Sequence, residues 1–333
     1  MTDGRMFGRG HLPNARMPNP RNAKPKEAAD VKIALLATAI GLATAGIADA
    51  DITLSGDAKI GFITNPASVH ATLISRVHLS FALSRITDSG LIFGTSIGIT
   101  DTDRASNGNA GAFFIAGPSA RLAVGNVESA ATAAVGQIAG VGLISTNDQN
   151  EVSYIANGGG GFRPAFFGNT SDPSVLFRYR VDDLTLYASI TQQGAAKQLA
   201  YAVAANYAVS DYAFALGVEH ERTATADIDQ IILSARAVFG PVTAKAIYGK
   251  VSTNLRGFDA AQWAISATYK ADALAVTAFY TDDSDLGSGR NTAISYGIGA
   301  SYPISGSASV VGGYYRNQTF GENGVEFGLF VPF

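Results

Sequence analysis

The feature that most constrains this chain is an alternation of apolar and polar residues that repeats from residue 51 to the C-terminus. In the first such segment, Ile52, Leu54 and Ile60 fall on one phase, whereas Thr53 and Lys59 fall on the other. A period of two is the side-chain period of a β-strand with one apolar and one polar face. The same pattern recurs so often that the whole chain is predicted to be all-β.

Sixteen strands are predicted from this alternation and from the turn residues between the segments. They lie near 51–64, 72–86, 90–101, 110–116, 119–126, 173–182, 183–193, 197–210, 211–222, 227–239, 241–252, 259–270, 272–281, 291–303, 306–316 and 323–333.

The connections between these strands alternate between short and long. The even-to-odd joints are tight, as at Asp182-Asp183, Ser210-Asp211, Gly240-Pro241 and Ala271-Asp272, whereas odd-to-even joints such as 101–109 and 281–290 are longer and more polar. This rhythm places all turns at one end and all loops at the other, as in an outer-membrane β-barrel. A sandwich with Greek-key crossings has no reason to keep it. Aromatic residues flank the short turns, where a membrane-interface girdle is expected: Tyr207, Tyr212, Phe239, Tyr269 and Tyr302.

Composition removes other classes of protein. The chain has no Cys, which excludes a disulfide scaffold, and only 15% charged residues, below the proportion of ordinary soluble domains. A net charge of −3, without a basic run after the first residues, argues against nucleic-acid binding.

The first fifty residues are predicted not to belong to the fold. Residues 31–50 contain a lysine, a short apolar stretch and a small-residue site, which is typical of a secretory signal peptide cleaved near Ala50. Residues 1–30 form a polar, Pro-rich extension that is interpreted as untranslated or disordered, with translation starting at Val31. The barrel is therefore expected to span 51–333.

One connection is much longer than the others. Residues 127–172 follow the fifth predicted strand and include an Ala-rich segment and several large apolar residues, among them Leu143, Tyr154 and Ile155. A long apolar loop would not float in water, so this segment is expected to pack inside the barrel lumen.

Several motifs resemble one known family when taken in order along the chain. The run Ile52-Thr53-Leu54-Ser55-Gly56-Asp57-Ala58-Lys59-Ile60-Gly61 is similar to that family's first strand, and Ser75-Arg76-Val77 to its second. Residues 130–143 resemble its long third loop, and 296–302 with the terminal Phe333 resemble its last strands. The chain thus resembles the 16-stranded trimeric general-diffusion porins of purple non-sulfur alphaproteobacteria.

This resemblance implies a 16-stranded antiparallel transmembrane β-barrel with an inward-folded third loop. It further implies a homotrimer in the cell outer membrane, in contact with lipid and lipopolysaccharide, that allows passive diffusion of ions and small hydrophilic solutes. Phe333 resembles the signal read by the barrel-assembly machinery.

Charged side chains are expected to define the narrow part of the channel, because fields are focused in a confined pore. The loop offers three carboxylates: Glu128, Asp148 and Glu151. The inward phase of the wall offers six bases: Lys59, Arg76, Arg178, Arg180, Arg236 and Lys245. Lys59 and Arg76 also match motif positions of the family, whereas the other four are assigned from strand phase.

Two alternatives remain open from the sequence. A substrate-specific channel often carries an aromatic ladder, and Tyr187 is among the few aromatic residues on the inward phase. An outer-membrane lipid hydrolase would use Ser and His on the lipid-facing side, where Ser75 and His220 lie on strands far apart in order. No catalytic residue, cofactor or metal is predicted, although in the family outer-loop acids such as Asp282 and Asp283 can hold Ca²⁺.

Overall fold

Backbone pairing joins the alternating segments into one antiparallel sheet. The computed structural model describes residues 50–64, 71–102, 105–108, 111–143, 150–156, 174–193, 198–223, 226–254, 259–283, 294–305, 307–318 and 321–333. The predicted N-terminal extension and most of the predicted signal peptide lie outside these residues, so both stay predictions.

The described part of the chain contains seventeen strands and one short helix. The strands are β1 (Ala50–Thr64), β2 (Thr72–Ile86), β3 (Ile92–Thr102), β4 (Ala105–Gly108), β5 (Ala112–Ala116), β6 (Ala120–Gly125), β7 (Ser174–Val181), β8 (Leu184–Gln193), β9 (Gln198–Val209), β10 (Tyr212–Arg222), β11 (Asp227–Phe239), β12 (Val242–Thr253), β13 (Asp259–Ala271), β14 (Leu274–Asp282), β15 (Ile294–Ser305), β16 (Ala308–Asn317) and β17 (Glu322–Pro332). The helix, α1 (Ala130–Val135), follows β6.

The sheet closes on itself because β1 pairs with both β2 and β17. At the seam, Phe333 and Gly56 exchange two backbone hydrogen bonds of 2.8 and 2.9 Å. β4 and β5 both pair with β3, so they are two parts of one barrel strand. The predicted closed 16-stranded antiparallel barrel is therefore confirmed.

Two-residue turns join most of the pairs at one end of the barrel. Asp182, Ser210 and Asp272 begin three of them with φ of 49°, 52° and 49°, and Gly240 begins another with φ of 55°. Asp is among the few residues besides Gly that often adopt this left-handed conformation. The turn predicted at Ala271-Asp272 is shifted by one residue, because β13 extends through Ala271.

The predicted loop 101–109 is mostly strand, which corrects one boundary. β3 continues to Thr102, and β4 returns along it over Ala105–Gly108. This stretch is rich in Asp, Asn, Ser and Gly and lacks the apolar alternation, but ladder hydrogen bonds require only the backbone.

The two faces of the barrel wall differ as the alternation predicts. Large apolar side chains on the outer phase are exposed, among them Phe62, Val203 and Phe327 at 55%, 57% and 59%. Apolar surface on this scale fits a lipid environment and not water. The five aromatic residues beside the short turns are all exposed on this outer surface, and the rings of Tyr212 and Phe239 meet edge to face at 6.2 Å.

The main apolar cluster lies between the long loop and one side of the inner wall. Loop residues such as Ala131, Val135 and Tyr154 pack against wall residues such as Ile232 and Ile247. None of the described helices is long and apolar enough to span a membrane. The 127–172 segment folds into the lumen over its described residues, as its apolar content predicted.

Candidate functional site

The loop after β6 covers one side of the lumen. Polar side chains from β8 through β13 and from β17 bind its backbone. On β2 through β7, hydrogen bonding to the described loop residues 127–143 and 150–156 is confined to the point where the loop begins, at which the carbonyl of Gly125 accepts a 2.9 Å bond from the N–H of Val127. We call the wall formed by β2 to β7 the uncovered wall, because none of its described side chains anchors the described part of the loop.

Glu219 on β10 holds both ends of the described loop. Its Oε1 accepts a 2.6 Å hydrogen bond from the hydroxyl of Ser129, which also caps helix α1. Its Oε2 accepts bonds from the backbone N–H of Ile155 at 2.8 Å and of Ala156 at 3.3 Å. Because Glu219 is fully buried and these donors satisfy its carboxylate, the contact fixes the loop ends to the wall.

Two glutamine side chains form a second attachment. Gln262 Nε2 donates to the carbonyl of Ser153 at 2.7 Å, and its Oε1 accepts from the Ser153 N–H at 2.7 Å. Gln230 Nε2 donates to the same carbonyl at 2.7 Å. The neighbouring Tyr154 is buried, and its hydroxyl donates a hydrogen bond to the carbonyl of Gly136. The pKa of Tyr154 is raised well above its ordinary value, mainly by burial and to a lesser extent by the negative charges of Glu219 and Glu128.

Lys245 and Glu326 attach the middle of the loop. The ammonium of Lys245 donates to the carbonyls of Val135 and Gln137, the latter at 3.0 Å. The buried carboxylate of Glu326 accepts a 2.7 Å bond from the N–H of Leu143. The sequence predicts Lys245 as a wall base of the constriction, and the structure places its ammonium against the loop backbone. A contribution of Lys245 to the electric field in the pore stays a prediction.

Glycines on the inner wall let the loop approach the backbone closely. A Cβ added at Gly217 would lie 2.6 Å from the Cβ of Ala131 in α1, and one added at Gly313 would lie 2.7 Å from the backbone nitrogen of Gly142. Both distances are too short for real atoms, so the seat of the loop requires glycine at these two positions.

Two bases lie in register where β1 meets the uncovered wall. Lys59 on β1 is the cross-strand partner of Arg76 on β2, and both are half-buried on the inner face. The Lys59 ammonium lies 5.4 Å from the centre of the Phe330 ring. Two residues further along the ladder, Asp57 lies 3.5 Å from Nδ1 of its cross-strand partner His78. The structure thus brings together the two bases that the motif positions singled out.

A second pair of bases lines a cavity between the loop and the wall. This cavity, which we call the wall–loop cavity, has a volume of about 410 Å³ and is lined by residues including Arg121, Asn126, Glu128, Leu176, Arg178 and Tyr187. Arg121 on β6 and Arg178 on β7 are cross-strand partners. The guanidinium of Arg121 lies 4.0 Å from the centre of the Phe114 ring, a cation–π contact that orients it.

Glu128 supplies the opposite charge in the wall–loop cavity. Its side chain meets the water of the lumen, but the enclosing protein removes much of the bulk solvent around it, and this desolvation raises the pKa of Glu128. Tyr187 lies within electrostatic reach of both Glu128 and Arg178. The cavity therefore carries an acid on the loop side and bases on the wall side.

The remaining predicted residues lie elsewhere. Arg180 is exposed near a short turn, where its Nε donates to the carbonyl of Asp182 at 3.2 Å. Arg236 is exposed beside Lys245 in the ladder. Glu151 is half-buried in the loop, and Asp148 lies outside the described residues.

Sequence reasoning missed Arg121 and the carboxylates and amides that anchor the loop. Arg121 lies on the inward phase of a correctly predicted strand, so strand phase alone would have found it. The anchors Glu219, Gln230, Gln262 and Glu326 are also inward. These four residues share a long polar side chain and lie at similar levels along the barrel axis. That shared level can be recognised only when the register of the strands is known.

The lipid-facing Ser75 and His220 are not brought together, because β2 and β10 are not neighbours in the sheet. His220 instead bonds Asp229 at 2.8 Å and stacks on Tyr201. The described residues contain no group of three or more His, Asp or Glu arranged to hold a metal ion.

Comparison with known proteins agrees with this fold. A family model described as Gram-negative porin matches residues 34–321. A relative named "Porin" from Rhodobacter capsulatus is 30% identical over 296 residues, which cover 80% of this chain and 95% of that protein. A solved structure of a mutant of Rh. blastica porin superposes with a TM-score of 0.67 at 18% identity and covers 85% of this chain and 100% of that chain. A second one, described as "Asymmetric conductivity of engineered proteins", has a TM-score of 0.65 at 18% identity with the same coverage.

Proposed function

The chain belongs to the Gram-negative porin family and is an outer-membrane porin that forms a channel, and we propose that the gap between the loop and the β2–β7 wall is its charged constriction. Ions and small hydrophilic solutes diffuse passively through this gap. The observation that carries the proposal is the wall–loop cavity, in which Glu128 faces Arg121 and Arg178.

Charges of opposite sign across a narrow, water-filled gap create a field transverse to the direction of diffusion. Such a field favours polar solutes, whose dipoles can align with it, over apolar solutes of the same size. Arg76 on β2 and Lys59 on the adjoining β1 extend the basic side of the gap. The loop attachments keep the acidic side at a fixed distance, so the opening has one size.

General diffusion is favoured over a substrate-specific channel. A sugar-selective path would need a row of aromatic side chains along the pore, whereas in the described residues of the uncovered wall the inward aromatic rings are few. Phe114 of this wall is in contact with the guanidinium of Arg121, and Phe330, which lies on β17 outside this wall, is beside Lys59. We further propose that the protein is a homotrimer surrounded by lipopolysaccharide and that the barrel-assembly machinery recognises its C-terminal Phe333.

Swelling of liposomes that contain the purified, folded protein tests this proposal. Neutral sugars of increasing size should enter at rates that fall smoothly with size and do not saturate with concentration. Saturable entry of one sugar class would support a specific channel instead. A folded barrel that admits no solute would contradict the proposal.

A further inference from the structure

A row of aromatic side chains crosses the outer surface near the loop end of the barrel. It consists of Tyr248, Trp263, Tyr280 and Tyr296 on β12 to β15, and we call it the outer aromatic row. Tyr248 is the cross-strand partner of Trp263, and Tyr280 is the partner of Tyr296. The rings of Trp263 and Tyr280 stack at 4.7 Å with an angle of 19°, which joins the two pairs. Four neighbouring strands therefore present one continuous aromatic surface to the lipid.

The ladder continues from the outer aromatic row to a base. Arg316 on β16 is exposed and is the cross-strand partner of Tyr296. Its other partner is Asn323 on β17, whose Oδ1 accepts a 3.1 Å hydrogen bond from the hydroxyl of Tyr314. None of the salt bridges among the described residues involves Arg316. Its guanidinium is therefore suited to an anion that lies beside the row.

This arrangement is confined to one arc of the barrel. On β1, β2 and β5 to β7, none of the described outward side chains at the loop end is Tyr or Trp; they include Phe62, Leu73, Phe113, Val124 and Val175.

An apolar strip lies next to the row on the side of the short turns. There, β13 to β15 present the outward side chains of Ile265, Ala278 and Ile298, all of them exposed. The arc from β12 to β16 thus combines an apolar strip, a row of rings and a base, in the order in which an amphiphile has its chains and its head group.

From this arrangement, and resting on the lipopolysaccharide surroundings proposed above, we infer that the arc from β12 to β16 is a binding site for lipid A, the phosphorylated diglucosamine anchor of lipopolysaccharide. The acyl chains pack on the apolar strip, the C–H face of a sugar ring packs on the outer aromatic row, and a phosphate binds Arg316. Asp282, the acid opposite Trp263, lies on β14, two strands away from Arg316, so the phosphate is placed at the Arg316 end of the row. A phospholipid has the chains and the phosphate but offers the rings no sugar.

Titration of the purified, folded protein with defined lipids, followed by native mass spectrometry, tests the inference. The two lipids are lipid A with both phosphates and phosphatidylglycerol, an acidic lipid without a sugar ring. The unaltered protein should bind lipid A about two- to tenfold more tightly than phosphatidylglycerol, the factor that contacts with aromatic rings provide.

Variants then assign the binding to the arc. Trp263→Leu and Arg316→Gln should each weaken lipid A binding by about two- to tenfold. Two matched controls should bind lipid A as the unaltered protein does: Tyr207→Leu, in the aromatic girdle at the turn end, and Arg85→Gln, at the turn end of β2. Each control removes an exposed aromatic ring or guanidinium away from the arc. Different migration of the folded and the heat-denatured chain on a gel shows that each variant is folded.

The outcomes separate this site from the proposed function. Lipid A binding that neither substitution in the arc weakens leaves lipopolysaccharide as the surrounding lipid and overturns the site. Equally tight binding of phosphatidylglycerol, or an equal loss in the controls, indicates general contact with lipid and also overturns it. A folded protein that binds no lipid A contradicts both the site and the lipopolysaccharide surroundings, whereas conductance of the same preparation in planar bilayers tests the channel independently.

Discussion

The hydroxyl of Ser129 donates a 2.6 Å hydrogen bond to Oε1 of Glu219, and this contact joins the start of the loop to the wall of the barrel. The other oxygen of the same carboxylate binds the backbone near Ile155. One buried side chain thus fixes two loop positions that are separated by 26 residues (155 − 129). The width of the pore depends on such contacts as well as on the barrel.

Replacing Glu219 should loosen the loop without unfolding the barrel. In Glu219→Ala, the three donors lose a charged acceptor in a buried place, which costs about 1.5–3 kcal/mol for each hydrogen bond to a charged group. Single channels should show larger, noisier conductance, and larger sugars should enter liposomes. The folded barrel and the heat-denatured chain should still migrate differently on a gel, because the hydrogen bonds between the strands are intact. Loss of this difference would mean that Glu219 is required for folding of the barrel itself.

Lys245 and Arg236 provide a paired test of anchoring against pore charge. Lys245→Met removes two hydrogen bonds to loop carbonyls and should raise conductance and the size limit for sugars. Its ladder partner, Arg236, is exposed, so Arg236→Met removes the same charge and should leave the size limit unchanged. Equal effects of both changes on the size limit would argue against the anchoring role.

The arginine pair should set ion selectivity. Arg121→Gln combined with Arg178→Gln removes two positive charges from the wall–loop cavity, so the reversal potential in a salt gradient should move toward cation selectivity. Lys250→Gln, on the lipid-facing surface, should leave the reversal potential unchanged. An unchanged value in the double variant would place the cavity off the ion path.

The acid on the loop should make selectivity depend on pH. Because desolvation raises the pKa of Glu128, this carboxyl binds a proton at a higher pH than an ordinary glutamate. As pH falls through that raised pKa, the pore loses a negative charge and should become more anion-selective. Reversal potentials measured between neutral and mildly acid pH check this shift, and Glu128→Gln should show anion selectivity already at neutral pH with a smaller dependence on pH.

The sequence predicted the barrel well, because lipid on one side and water on the other force strict alternation along every strand. It failed at β4, where pairing depends on the backbone and the side chains carry no pattern. It also failed for the loop contacts. Glu219 and Glu326 lie far apart in sequence and act on loop backbone, so neither residue type nor spacing links them to Ser129 or Leu143.

The basic residues of the inner wall also show what could not be predicted from the sequence. Strand phase correctly placed Lys59, Arg76 and Arg178 on the inner wall, but phase cannot tell which part of the wall the loop covers. Lys245 shares their phase and lies under the loop, whereas Arg121 lines the cavity. This difference depends on where the loop crosses the lumen, which is a property of tertiary packing.

Conductance of the purified, folded protein in planar bilayers tests the central claim most directly. A diffusion channel of one fixed opening predicts large, ohmic steps that grow in proportion to salt concentration, inserted in groups of three if the protein is a homotrimer. A folded barrel that adds no conductance, or one whose current saturates and is blocked by a single class of solute, would contradict the account.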